Sequence, residues 1–143
     1  MKIAIGNDHT GVEMKNVIVE YLEDNGYEVI NIGTDTSESV DYPDYGFKVG
    51  ELVVNKAADL GIVICGTGVG ISIAANKVKG IRAALCNETT VAKLVREHNN
   101  ANVLALGARL LANHKAIWIV QEFLDAQFDA GRHAKRVAKL DNY

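Results

Sequence analysis

The stretch Leu60-Gly61-Ile62-Val63-Ile64-Cys65-Gly66-Thr67-Gly68-Val69-Gly70-Ile71-Ser72 decides how the chain is read. Its first five residues are apolar, short and β-branched enough to form a buried strand. Ile73-Ala74-Ala75-Asn76-Lys77 then reads as the opening of a helix. A cysteine therefore stands where a strand ends and a glycine-rich loop feeds a helix N-terminus. Glycines at 66, 68 and 70 allow positive φ and bring backbone N–H groups close to a ligand. Those groups and the positive end of the helix make an anion site. The same field favours a thiolate over a thiol. One loop thus offers a base or nucleophile together with donors for a developing negative charge. The competing reading is a tight turn carrying a small buried cysteine. Other known loops fit poorly. The third glycine of a dinucleotide fingerprint comes one place early, and the Gly-Lys-Ser/Thr ending of a P-loop is absent. A cysteine phosphatase would want an arginine closing the loop, where Ile71 stands. No second cysteine lies at the spacing of a redox pair.

Outward from this stretch, strand and helix signals alternate. Lys2–Gly6, Tyr27–Ile32, Ile81–Cys86 and Asn102–Leu106 join Leu60–Cys65 as strands. Met14, Val17, Ile18, Tyr21 and Leu22 mark a helix face, ended by Asn25-Gly26. Asp41-Tyr42-Pro43 opens another helix with an N-cap and an early proline, running to about Asn55. A helix capped by Asn87 directs Val91, Leu94 and Val95 inward. Further helices run from about Asn113 to Gln127 and from Ala130 to Leu140. Regular β/α alternation implies an α/β domain with a five-stranded parallel sheet and helices on both faces. No linker divides it, so residues 1–143 form one domain. Ligands in such sheets bind at the carboxyl ends of the strands. That rule gathers Asp8-His9, the Cys65 loop, Asn87 and Arg109 onto one edge.

Bulk composition narrows the function classes. A net charge of -3 argues against nucleic acid as the main partner. No apolar run is long enough to span a membrane. Met1-Lys2-Ile3-Ala4-Ile5-Gly6 lacks the layout of a signal peptide. Cys65 and Cys86 do not form a disulfide framework, and a reducing cytoplasm is the expected setting.

Other residues add chemistry. Asp8 and His9 follow the first strand and face the proposed site, unless Asp8 or Thr10 only caps the next helix. Arg132, Lys135, Arg136 and Lys139 share one flank of the last helix, either as a solvated face or as an anion site. Two arginines one turn apart suit a phosphate, because each guanidinium donates in a bidentate fork. His98 follows Val91, Leu94 and Val95 on one helix face, and it titrates near neutrality. His114 and His133 read as surface residues. No trio of His, Cys or carboxylate has metal-ligand spacing, so neither a metal nor another cofactor is expected.

Gly-x-Asp-His at 6–9, Asp-Tyr-Pro at 41–43 and Cys-Gly-Thr-Gly-Val-Gly-Ile-Ser at 65–72 together resemble the type-B ribose-5-phosphate isomerases. So do Ile73–Lys77, His98-Asn99 with Asn102, Gly107-Ala108-Arg109, and Gly131-Arg132-His133 with Arg136-Val137. The resemblance runs the length of the chain. It implies a Rossmann-like three-layer domain, a homodimer with shared active sites, and metal-free aldose–ketose isomerisation in the pentose phosphate pathway. By the same resemblance Cys65 is the base and His98 the acid. Asp8, His9, Tyr42, Gly66, Thr67, Gly68, Val69, Gly70, Asn99, Arg109, Arg132 and Arg136 bind the phosphorylated sugar. The chemistry adds that His98 opens the sugar ring and that the Thr67 hydroxyl moves protons between the two enediolate oxygens. Relatives act on allose or galactose 6-phosphate, so the sugar stays open, as does pairing of dimers into tetramers. Two further alternatives are a sugar-phosphate-binding module without turnover and a subunit active only beside a non-identical partner.

The sequence also places Cys65 and His98 apart. On a parallel sheet the helix carrying His98 runs against the strands and ends at their amino edge. A helix of about 12 residues spans roughly 18 Å. If both residues touch one substrate, a second copy of the chain must supply one of them.

Overall fold

The computed structural model describes residues 1–143. Strand β1 (Lys2–Asn7) passes through a 3-10 turn, His9–Gly11, into α1 (Val12–Asp24). There follow β2 (Glu28–Asn31), α2 (Tyr42–Val54), β3 (Leu60–Cys65) and α3 (Val69–Asn76). The second half runs β4 (Ala83–Leu85), α4 (Thr89–Asn99), β5 (Val103–Gly107), α5 (Asn113–Asp125), a 3-10 turn at Gly131–His133, and α6 (Ala134–Asp141). All strands are parallel, in the order β2-β1-β3-β5-β4. The α/β class, the single five-stranded sheet and the helices on both faces are those expected from the alternation.

Side chains alternate along each strand, and the alternation builds two cores. Ile3, Ile5, Ile62, Ile64, Leu104 and Leu106 face α1, α4 and α5. Ala4, Val63, Cys65, Val103 and Ala105 face α2 and α3. Each fully buried Ile or Leu contributes about 1.5–3 kcal/mol. The β1–β2 connection goes one way across the sheet and the chain after β3 goes the other. The carboxyl ends of β1 and β3 therefore lie side by side where the connections diverge, the place where such sheets leave a crevice.

Several local expectations shift. Helix α3 begins at Val69, earlier than Ile73, because Gly68 takes the left-handed conformation (φ 79°) and turns the chain into the helix at once. Strand β4 is shorter than Ile81–Cys86, since the Arg82 N–H donates to the Asn102 side chain at 2.8 Å instead of entering the ladder. Asp41 holds the N-cap position of α2 without a side-chain cap bond. At α4 the cap position belongs to Glu88, not Asn87, and no side chain caps it. Val91 and Leu94 do not point inward; they are 42% and 37% exposed. Ala92 is buried instead, and half-buried Val95 packs beside it. Small Ala92 lets the helix lie close to the sheet with that side down, and Arg96 covers the Phe123 ring at 5.5 Å. The expected helix 130–140 is broken into the 3-10 turn and α6, after Ala130 adopts a positive φ of 55°.

Candidate active site

At the carboxyl edge, buried Asp8 directly follows β1. Its N–H donates to the Ile64 carbonyl at 3.1 Å, tying it to β3. Its Oδ1 accepts from the Thr10 N–H at 2.9 Å and from the Thr10 hydroxyl at 2.6 Å. Asp8 is thus a capping residue, as one reading of the sequence allowed. Both bonds fall on one oxygen, and Asp8 also lines an open cleft of about 450 Å³. His9, Thr10, Tyr42, Cys65, Gly66, Thr67, Val69, Gly70 and Arg109 complete that cleft.

The glycine-rich loop holds Cys65 within it. The Gly68 N–H donates to Cys65 Sγ at 3.2 Å. The Val69 N–H donates to Thr67 Oγ1 at 3.2 Å, so the Thr67 hydroxyl proton remains available. A Cβ on Gly70 would fall 2.5 Å from the Tyr42 ring, which packs against the loop because nothing projects there. Arg109 packs on Gly66, its backbone N–H donating to the Gly66 carbonyl at 3.0 Å. The Ala108 N–H likewise donates to the Cys65 carbonyl at 2.9 Å. Backbone donors, a sulfur, a carboxylate, an imidazole and a guanidinium so converge on one small volume. That set can move a proton between carbon and sulfur and hold an oxyanion beside it. The other cysteine differs: Cys86 is fully buried, and burial pushes its thiol up to about 12. It acts as a core residue.

His98, Asn99, Arg132 and Arg136 do not line this cleft, and neither does Asn87. His98 lies in the last turn of α4, at the amino edge, where the Gly61 N–H donates to the Asn102 carbonyl at 2.9 Å as β3 begins. The length of β3 separates it from Cys65, about 16 Å at the usual strand rise. There His98 stacks on His133, ring centroids 4.4 Å apart and 13° from parallel. The His133 imidazole is held below the usual histidine range by desolvation, then by His98, Arg132 and Arg136, with Asp129 opposing. His133 is therefore more than a surface residue. With Asp129 the two imidazoles form a trio of donors within 4.8 Å, which no spacing in the sequence disclosed. The Asp129 N–H donates to the Glu97 carbonyl at 3.0 Å and pins that corner to α4. Arg132 and Arg136 stand exposed beside it. Asn99 lines a different cleft, of about 470 Å³, between the Gly80 turn and the end of α6.

Thr10, named in the sequence as a possible cap of the next helix, instead donates to Asp8 and steadies it. One contributor escaped the sequence. Lys15 is fully buried on α1, where its place beside Met14 on the apolar side was the only hint.

The ribose/galactose isomerase family model matches residues 3–140. The chain is 52% identical to ribose-5-phosphate isomerase B of Escherichia coli over 139 residues, covering 97% of this chain and 93% of the other. A solved ribose-5-phosphate isomerase B from Clostridium thermocellum superposes with a TM-score of 0.98 at 56% identity, covering 99% of this chain and 96% of that one. The Mycoplasma genitalium enzyme, solved with bound ribulose 5-phosphate, superposes with a TM-score of 0.95 at 45% identity over 99% of this chain and 95% of that one.

Proposed function

The chain belongs to the ribose/galactose isomerase family, it is an aldose–ketose isomerase, and we propose that it interconverts ribose 5-phosphate and ribulose 5-phosphate through a cis-enediolate. One observation carries the residue roles: Cys65 Sγ accepts the Gly68 N–H at 3.2 Å inside a cleft that Asp8, His9 and Arg109 share. Isomerisation takes the acidic proton next to the carbonyl and returns it to the neighbouring carbon. Cys65 as thiolate carries that proton, and a positioned base supplies roughly 10²–10⁴ in rate. Backbone donors of the 66–70 loop hold the enediolate oxygens, each worth roughly 10²–10³. Thr67, its oxygen already engaged by the Val69 N–H, passes a proton between the two oxygens. Asp8, His9, Tyr42 and Arg109 orient the chain of hydroxyls.

His98 opens the sugar ring, and Arg132 with Arg136 anchors the phosphate. These come from a second copy of the chain, because the sheet stands between them and Cys65. Val91 and Leu94 expose an apolar surface on the helix of His98, while Val69 and Ile73 expose one beside the Cys65 loop. A two-fold partner that covers these surfaces brings His98, Asn99 and both arginines of one copy to the Cys65 cleft of the other, twice. No helix is long and apolar enough to cross a membrane, and two free cysteines suit a reducing cytoplasm.

Cys65→Ala tests the central role. It should leave folding and phosphate binding near normal while abolishing turnover and exchange of solvent hydrogen into the sugar. Turnover within about tenfold of the parent would end the assignment, since it falls short of what a general base supplies. Activity should survive exhaustive chelation. Parallel assays with allose and galactose 6-phosphate decide the sugar.

A further inference from the structure

Lys15 is among the largest fully buried side chains in the molecule, and it carries a charge the reaction does not use. An ammonium removed from water is costly unless paired and hydrogen-bonded. Here Nζ donates to the Thr34 carbonyl at 3.1 Å and to Asp35 Oδ1. The Asp35 side chain is 77% exposed, so it is Lys15 that reaches out of the core to hold the segment after β2. A second tie meets the same carbonyl: buried Asn7 donates from Nδ2 to Thr34 O at 3.1 Å and to Asp8 O at 2.8 Å. The Thr34 N–H returns a bond to Asn7 O at 3.3 Å. Asn7 fits because residue 33 is glycine; a Cβ there would lie 1.8 Å from Asn7 Oδ1.

The far end of this segment reaches the cleft. The Val40 N–H donates to His9 Nδ1 at 3.2 Å. A ring nitrogen that accepts carries no proton, so Nε2–H is the group His9 offers to a ligand. Helix α1 and β1 thus hold one end of residues 33–40, and the other end sets the tautomer of a cleft residue.

We propose that Lys15 is a positioning residue for the isomerase: by anchoring Thr34 and Asp35 it holds the Val40 amide against His9 and fixes His9 as an Nε2–H donor to an oxygen of the sugar phosphate. This rests on the assignment of the Cys65 cleft as the sugar-phosphate site. An apolar side chain of similar length fills the same volume but leaves Thr34 held by Asn7 alone and Asp35 unheld, so the ammonium itself carries the role.

The test uses the full chain labelled with nitrogen-15. Ring resonances of His9, identified by their loss in His9→Gln, should report a single Nε2–H tautomer in the parent without any ligand. Lys15→Met should mix the tautomers, raise KM for ribose 5-phosphate by about tenfold, the loss of one hydrogen bond, and change kcat far less. Should Lys15→Met fail to fold, Asp35→Ala at the surface, which removes the acceptor, and Val40→Pro, which lacks the N–H, must shift the same resonances. An Nδ1–H tautomer in the parent overturns the proposal. So does a folded Lys15→Met whose His9 signals and KM match the parent. The nitrogen shifts need no substrate. A fixed tautomer lost in the variants therefore supports the tether even if ribose 5-phosphate is not turned over, and that second result counts against the substrate assignment alone.

Discussion

Gly68 combines two demands that no other residue meets. Its φ is 79°, and a Cβ would lie 2.5 Å from Leu85 Cδ1 and 2.8 Å from the Leu106 carbonyl carbon. Leu85 could turn aside, but the Leu106 backbone belongs to β5 and cannot. Gly68→Ala should therefore displace the loop and carry its N–H away from Cys65 Sγ. The expected loss is about 10²-fold in kcat, with about 1–3 kcal/mol of stability from the strained backbone, read by steady-state kinetics beside a thermal melt. A stable variant with parental kcat would show that the Gly68 donor does not matter to the chemistry. At this scale the sequence was informative. Cys65, the spaced glycines, Asp8, His9 and Arg109 were all readable as one edge from the strand-end rule. Lys15 was not, because its partners Thr34 and Asp35 lie 19 and 20 residues away, and its place beside Met14 gave no sign of them.

Among the elements, α6 and the turn before it are held lightly. Val137 is the one buried residue of α6, and an Arg82–Asp141 bridge of 2.7 Å fastens its end. Arg132 and Arg136 are exposed, so replacing either by alanine should leave stability within about 0.5 kcal/mol. Binding is another matter. Either substitution should weaken the sugar phosphate by about 1.5–3 kcal/mol, the range for hydrogen bonds to charged groups. KM should rise accordingly, and competitive inhibition by inorganic phosphate should fade. Unchanged KM in both variants would make the cluster a solvated face. The strands and α1 were legible because their apolar periodicity coincides with burial: Met14, Ile18 and Leu22 are all core. Helix α4 was misread for the opposite reason. Its periodic face, Val91 and Leu94, lies outside the core of a single chain, and periodicity alone does not say what covers a face. The break at Ala130 was invisible, since a positive φ at alanine has no sequence signal.

Over the whole molecule, the parallel sheet divides the candidate residues between its two edges, Cys65 with Asp8 and His9 at one, His98 with Arg132 and Arg136 at the other. The direction of α4 made this separation readable from the strand–helix order, although the stacking of His98 on His133 was not. If one substrate touches both groups, Cys65→Ala and His98→Ala variants should each be nearly inactive. Refolded together in equal amounts they should recover roughly a quarter of parental sites, because half the dimers are mixed and each mixed dimer holds one intact site. Mixed dimers that form without recovering activity would put both residues in one chain or remove one from the chemistry. The same separation has a genetic consequence. Inactivating alleles of this gene should fall into two groups, one mapping to each edge of the sheet. A cell carrying one allele from each group should grow on the sugar that neither supports alone, while two alleles from the same group should not help each other.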